Sequence, residues 1–164
     1  MIYKKLPYIK YNVDQLRTIS ENLKYSNGYA ELGRIIPQEV SPQYNLNDPC
    51  IQQLTSQFLF PKIFHCCGFI RTRAHSIVGP HSDSASKDIV RTVNILFPIS
   101  NYNTPLDFYN NEEKIDSVFI DCPVAFDCTV YHGYENNTNG WRLALQLQCK
   151  MPYTFNKLVN TGAI

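Results

Sequence analysis

The sequence predicts a mainly β domain, a jelly roll braced by N-terminal α-helices. Three observations carry that expectation. Helical periodicity is confined to the segment before Lys62. After it come roughly six to eight β-type runs in about 85 residues, divided by Pro, Asn, Gly and Asp clusters. The last run, Trp141 to Gln148, alternates strictly between apolar and polar positions. The 164 residues suit one domain: a helical support over 1–62, a β core over 63–152 and a tail over 153–164.

In the support, Asn12 caps a helix whose stripe is Val13, Leu16, Ile19 and Leu23, with Asn27-Gly28 as its stop. Asp48-Pro49 opens a second helix carrying Ile51, Leu54 and Phe58, which Pro61 ends. Both stripes read as core faces. In the β region the runs are KIFHCCGFIRTRAHSIV, DIVRTVNILFPI, LDFY, SVFID, AFDCTVYH and WRLALQLQ, with Pro98 to Asn101 as a turn. In the last run Leu143, Leu145 and Leu147 share one face, while Arg142, Ala144, Gln146 and Gln148 share the other. A polar face turned into a closed barrel is costly unless it lines a ligand cavity.

Composition excludes several classes. Charged residues are 18% and the formal net charge is +1, so no field points to nucleic acid or an acidic membrane. Arg71 and Arg73 read as a solvated face. No run reaches the roughly 18 apolar residues of a membrane span. The six cysteines lack a CxxC, and MIYKKLPYIKYN lacks the apolar stretch of a signal peptide, so the expectation is a cytoplasmic protein with reduced thiols. His65-Cys66-Cys67 has no second pair at zinc-finger spacing, and His65 and His75 read as structural or surface residues. The sequon Asn136-Asn137-Thr138 lacks a secretory context. Asp88, Asp107, Asp116 and Asp127 read as turn or solvent-facing residues.

His81-x-Asp83 follows an apolar stretch and precedes another. Such a pair arises by chance roughly 0.3 times in a chain of this composition, so it needs a third partner to mean anything. His132, at the end of a strand-like run, supplies one. Residues i and i+2 of an extended chain face the same way. Two histidines and a carboxylate on one face of an octahedron leave three positions open, the arrangement of non-haem Fe(II) oxygenases. Arg142, across the loop from Gly133 to Gly140, can turn a guanidinium into the same barrel and hold a carboxylate.

In this order and spacing, His81-x-Asp83, His132 and Arg142 resemble the Fe(II)/2-oxoglutarate-dependent oxygenases. VRTVNILFPISNYNTPLDFY looks like the family's strands after the metal motif, and AFDCTVYHGYENNTNGWRLALQLQ is similar to the end of aspartyl/asparaginyl β-hydroxylases. Asp83 departs from that subfamily, which has glycine there. Prolyl-hydroxylase-like enzymes keep the Asp, but their Gly-Gly is replaced by Asn103-Thr104-Pro105 ahead of Leu106-Asp107-Phe108.

The resemblance implies a double-stranded β-helix over residues 63–152. It implies His81, Asp83 and His132 as ligands of Fe(II), and Arg142 as the anchor of 2-oxoglutarate. Arg91, ten residues after His81, and Asn94 with Thr92 are cofactor-side candidates; alternation puts Arg91 on the face opposite Thr92 and Asn94, so one set alone should face the pocket. O₂ is the co-reactant and hydroxylation the expected chemistry, on a peptide, protein or small-molecule substrate, with Tyr131 and Tyr134 at its mouth. The competing reading is a cupin-like ligand-binding jelly roll without oxygenase activity.

Overall fold

The computed structural model describes residues 1–29, 35–83, 90–100 and 102–164. Its strands are β1 (Tyr3–Lys5), β2 (Ser26–Tyr29), β3 (Ile35–Val40), β4 (Phe64–Thr72), β5 (Ser76–His81), β6 (Arg91–Ser100), β7 (Leu106–Asn110), β8 (Glu113–Val118), β9 (Val124–Asp127), β10 (Tyr131–Asn136) and β11 (Arg142–Lys150). The helices are α1 (Val13–Glu21), α2 (Pro49–Thr55) and α3 (Phe155–Asn160). One sheet has the order β1-β9-β6-β11-β4-β3-β2, the other β5-β10-β7-β8. Every ladder in them is antiparallel.

The two faces of the seven-stranded sheet feed two cores. Ile70, Leu96, Phe126 and Ala144 form one buried cluster with Leu106, Phe108 and Val118 of the four-stranded sheet. Phe69, Phe97, Leu143, Leu145 and Leu147 form the other with Leu16 of α1, Ile51 and Leu54 of α2, and Phe155 and Leu158 of α3. Leu145 and Leu147 are fully buried, worth about 1.5–3 kcal/mol each. The alternation of β11 is therefore an assignment of faces: leucines toward the helices, Arg142, Ala144 and the glutamines toward the second sheet.

Asn12 caps α1 by accepting from the Gln15 N–H (3.0 Å), and Asp48 caps α2 by accepting from the Cys50 N–H (2.9 Å). Helix α1 stops at Glu21, well before Asn27-Gly28. Those two residues lie in β2, where a Cβ on Gly28 would sit 2.8 Å from the Gln38 carbonyl oxygen. The glycine thus serves a close strand approach rather than a helix stop. Residues 1–62 also contribute β1, β2 and β3, and Pro61 opens a short 3₁₀ turn, Pro61–Ile63. The C-terminal segment contains α3 and ends with Ala163 and Ile164 in the core. Strand β6 runs through Pro98 to Ser100 instead of turning there. A register shift opposite Pro98 absorbs the missing N–H.

Candidate active site

Strand β5 ends at His81, whose register partner across the β5–β10 ladder is His132. Their ring centroids are 4.6 Å apart. The turn after β5 is fixed by the Asp83 N–H, which donates to the Cys128 carbonyl at 3.0 Å. His81 Nδ1 donates to the Gly79 carbonyl (2.9 Å), and His132 Nδ1 to the Val130 carbonyl (2.8 Å). A carbonyl only accepts, so Nδ1 carries the proton in both rings and each Nε2 keeps a free lone pair. These lone pairs converge on Asp83, with His81 Nε2 3.6 Å from Oδ1 and His132 Nε2 3.8 Å from Oδ2. The three donor atoms lie within 4.8 Å of one another.

Both imidazoles are buried. Burial pushes His132 below the ordinary imidazole value, against the pull of the Asp83 carboxylate. Its ring also packs edge-on against Phe126, centroids 4.9 Å apart. Two pre-oriented Nε2 atoms and one carboxylate, backed by carbonyls that fix the tautomers, are a donor set that fits a divalent transition-metal ion.

Asn94 of β6 is fully buried, and its Nδ2 donates to Asp83 Oδ2. Arg91 lines a cavity of about 310 Å³ together with Asp83 and Gln148. Strict alternation would forbid Arg91 and Asn94 from sharing a site, and a β-bulge removes the conflict. Val93 pairs with Cys149 and Arg91 with Lys150, so Thr92 is an extra residue. The Thr92 hydroxyl turns to the Tyr153 carbonyl (2.5 Å), away from the cavity.

Arg142 opens β11 and is 2% exposed. Its guanidinium lies 4.3 Å from the Tyr102 ring centroid and 4.2 Å from that of Tyr134. Nη1 donates to Thr104 Oγ1 (2.7 Å) and to the Glu135 carbonyl (2.8 Å). Among the described residues its Nε has no partner and no carboxylate pairs with it. Among the described residues, then, neutral groups alone hold this buried cation, and no side-chain charge offsets it. The Tyr134 hydroxyl donates to Gln38 Oε1 (2.7 Å) and lies 2.6 Å from Thr72 Oγ1. Burial raises the pKa values of Tyr102 and Tyr134, so both stay neutral beside the guanidinium.

The cavity beside Asp83 is lined by side-chain amides, Asn27, Gln38, Gln43, Gln146 and Gln148. Gln148 Nε2 donates to Gln146 Oε1 at 2.7 Å. The polar inner face of β11 therefore borders open space as well as Arg142.

Other candidates lie elsewhere. His65 Nδ1 bonds the Gln148 carbonyl (3.0 Å), and His75 Nε2 is 2.9 Å from Asn139 Oδ1. Asp127 accepts from the Thr129 N–H (3.0 Å) and hydroxyl (2.6 Å), and Asp116 from the Ser117 N–H (2.8 Å). Asp107 lies on β7, 3.6 Å from Lys114 Nζ. Asp88 falls outside the described residues. Arg71 and Arg73 pair with Glu39 rather than solvent alone, and the Arg71 guanidinium is 4.3 Å from the Trp141 ring. Tyr131 is exposed, whereas Tyr134 is committed to Arg142. The sequon's Asn136 is fully buried, and its Nδ2 reaches the carbonyls of Thr72, Arg73 and Gly140. It ties the β10–β11 loop to β4 and so places Arg142.

Tyr102, Thr104 and Gln38 belong to this neighbourhood and carry no sequence signal for it. Tyr102 and Thr104 lie in a loop and Gln38 on β3, and only the tertiary fold brings them to Arg142 and its neighbour Tyr134.

No protein-family model and no curated protein matches the sequence. Solved structures do resemble the fold. HygX from Streptomyces hygroscopicus, with nickel and 2-oxoglutarate bound, superimposes with TM-score 0.65 at 13% identity over 93% of this chain and 84% of its own. The chain has the fold of the 2-oxoglutarate- and Fe(II)-dependent oxygenases. A prolyl-4-hydroxylase of Pseudomonas putida gives TM-score 0.63 at 13% identity, covering 91% of this chain and 92% of its own. The viral collagen prolyl hydroxylase of Paramecium Bursaria Chlorella virus-1, in its 2-oxoglutarate complex, gives 0.61 at 14% identity, covering 92% and 96%. In this fold the two histidines and Asp83 lie together where the end of β5 meets the start of β10, and Arg142 opens the strand that follows β10.

Proposed function

We propose that this protein is an Fe(II)- and 2-oxoglutarate-dependent dioxygenase that hydroxylates a C–H bond of its substrate. The observation that carries this reading is Arg142: a buried guanidinium whose Nε has no partner among the described residues, on the inner face of the barrel that also holds the His81, Asp83 and His132 donor cluster. A metal site without a cosubstrate would have no need of a buried guanidinium ten residues beyond a ligand.

In this reading His81 and His132 hold the metal through Nε2, and Asp83 holds it through its carboxylate. Arg142 receives the distal carboxylate of 2-oxoglutarate, with the rings of Tyr102 and Tyr134 keeping water from the ion pair. The bound metal and cosubstrate supply oxidising power from O₂, with decarboxylation to succinate. Asn94 and Arg91 act on the cofactor side of the site. The amide-lined cavity of about 310 Å³ receives a polar substrate, either a peptide side chain or a small molecule.

The same reading makes residues 1–164 one domain, with α1 and α2 bracing the outer face of the large sheet. No described helix is long and apolar enough to cross a membrane. The six free thiols suit a reducing, cytoplasmic compartment.

Anaerobic titration with Fe(II) and 2-oxoglutarate tests the proposal. A weak visible charge-transfer band that requires both additions and disappears in Arg142→Ala supports it. Metal binding without such a band sends the protein to the cupin-like reading.

A further inference from the structure

Gln146 and Gln148 stand two residues apart on β11, so their side chains leave the strand on the same face. Both are buried, and both line the cavity of about 310 Å³ beside Asp83. Among the described residues their side chains bond only to each other, Gln148 Nε2 donating to Gln146 Oε1 at 2.7 Å. That bond uses one of the two N–H groups on Nε2 and one of the two lone pairs on Oε1. The second N–H and the second lone pair remain, a donor and an acceptor 2.7 Å apart. Reading both amides the other way round leaves the same pair, because an amide-to-amide bond always sets a nitrogen beside an oxygen.

Few groups can answer such a pair. A carboxylate only accepts and would set an oxygen against Gln146 Oε1, while an ammonium only donates and would set an N–H against Gln148 Nε2. A primary carboxamide carries one donor and one acceptor side by side and satisfies both. The rest of the wall agrees with a neutral guest: of the cavity's linings only Asp83 and Arg91 are charged, and Asn27, Gln38 and Gln43 add further amides. Gly68 of β4, the register partner of Gln146, keeps the space beside the pair open. A Cβ there would lie 3.5 Å from Ser41 Oγ and 3.8 Å from the Pro42 carbonyl oxygen, ordinary contacts, so packing alone does not demand a glycine.

We propose that Gln146 and Gln148 together form a docking site for a primary carboxamide carried by the substrate. The inference rests on the oxygenase reading above for there being a substrate at all. It names the group that is recognised, not the carbon that is oxidised. An Asn or Gln residue of a peptide and a free small amide bring the same chemistry to the pair, and the test below tells these sources apart.

The full chain is first titrated with Zn(II) and 2-oxoglutarate by calorimetry, and ligand binding is then followed by saturation-transfer NMR. The probes are butanamide and short peptides with a central Asn or Gln, blocked as acetyl and N-methylamide. Butanoate and the same peptides with Asp or Glu are the controls. The amides should bind about 10-fold or more tighter than their acid counterparts, which leave the buried acceptor unsatisfied. Gln146→Met should abolish that preference. Gly68→Val, which fills the space beside the pair and leaves both glutamines in place, should weaken the amide probes about 10-fold or more while Zn(II) and 2-oxoglutarate affinities stay within twofold. Tighter binding of the peptides than of butanamide marks a polypeptide as the source, and equal or weaker binding marks a small molecule; either supports the site. Acids that bind as well as amides, a preference unchanged in both variants, or no amide binding at all overturns the proposal and leaves the metal site standing. Amide binding by a chain that takes up neither Zn(II) nor 2-oxoglutarate supports the docking site and overturns the oxygenase reading.

Discussion

His81 and His132 repeat one local device on opposite strands: each imidazole donates Nδ1–H to the carbonyl two residues before it, Gly79 for one and Val130 for the other. As register partners they therefore present the same nitrogen to the same point. Substituting alanine at either position should lower divalent metal affinity by more than about 100-fold, beyond the loss expected for a supporting residue. Calorimetric titration with Mn(II) or Co(II) reads this directly. Affinity within tenfold of wild type in His132→Ala would remove that residue from the ligand set.

Acid should act on the same pair. The folded-state value of His132 lies below the ordinary imidazole value of 6.5 because the ring is buried. The unfolded chain thus takes up the proton first, and stability falls as pH drops below about 6.5, with the loss continuing until the folded-state ring also protonates. Metal-free protein melted across pH 5 to 8 should show this slope, flattening above about pH 7, and His132→Gln should reduce it. Metal affinity should begin to fall further to the acid side, where the folded-state His132 ring itself takes up the proton that competes with the cation for Nε2.

Arg142→Met should separate the cosubstrate from the metal. Removing one partner of a desolvated charge pair costs about 2–5 kcal/mol, so the 2-oxoglutarate requirement should rise roughly 30- to 4,000-fold while Co(II) affinity stays within threefold. The ligand-free variant should be as stable as wild type or more so, since a buried cation with no charge partner among the described residues has gone. Saturation curves for 2-oxoglutarate and a melting scan check the two halves of the expectation.

Gly133, between His132 and Tyr134, should tolerate no side chain. A Cβ there would lie 2.7 Å from the Val78 carbonyl oxygen and 3.1 Å from the Gly79 carbonyl carbon. Gly133→Ala must push β5 away from β10 at the point where the two histidines meet. A loss of about 1–3 kcal/mol in denaturant unfolding is expected, with weaker metal binding alongside. Unchanged binding would mean that the β5–β10 spacing does not govern the site.

Much of this site was legible because its parts have local signatures. His81-x-Asp83 is a two-residue motif, His132 and Arg142 follow at a family spacing, and the leucines of β11 announce their face by period. What stayed hidden depends on register. The bulge at Thr92 lets Arg91 and Asn94 share a site that alternation divides between them, and it has no sequence mark of its own. The β2–β3 hairpin was obscured by a glycine that reads equally as a helix stop. Tyr102 and Thr104 lie in the loop before β7, where no periodicity marks a direction. The outer core was easier, since Leu16, Ile51 and Leu54 are spaced by the helix itself.

Strand β11 carries stability and chemistry on alternate residues, with Leu143, Leu145 and Leu147 against the helices and Arg142, Gln146 and Gln148 inside. The two functions are thereby interleaved at single-residue pitch. A library of every substitution across 142–148 should sort into two populations: Leu143, Leu145 and Leu147, with Ala144 of the inner core, lost from the expressed pool, and positions 142, 146 and 148 expressed but altered in ligand use. An inserted or deleted residue would exchange the two sets at once. This stretch should accept many replacements at 142, 146 and 148 and no change of length at all.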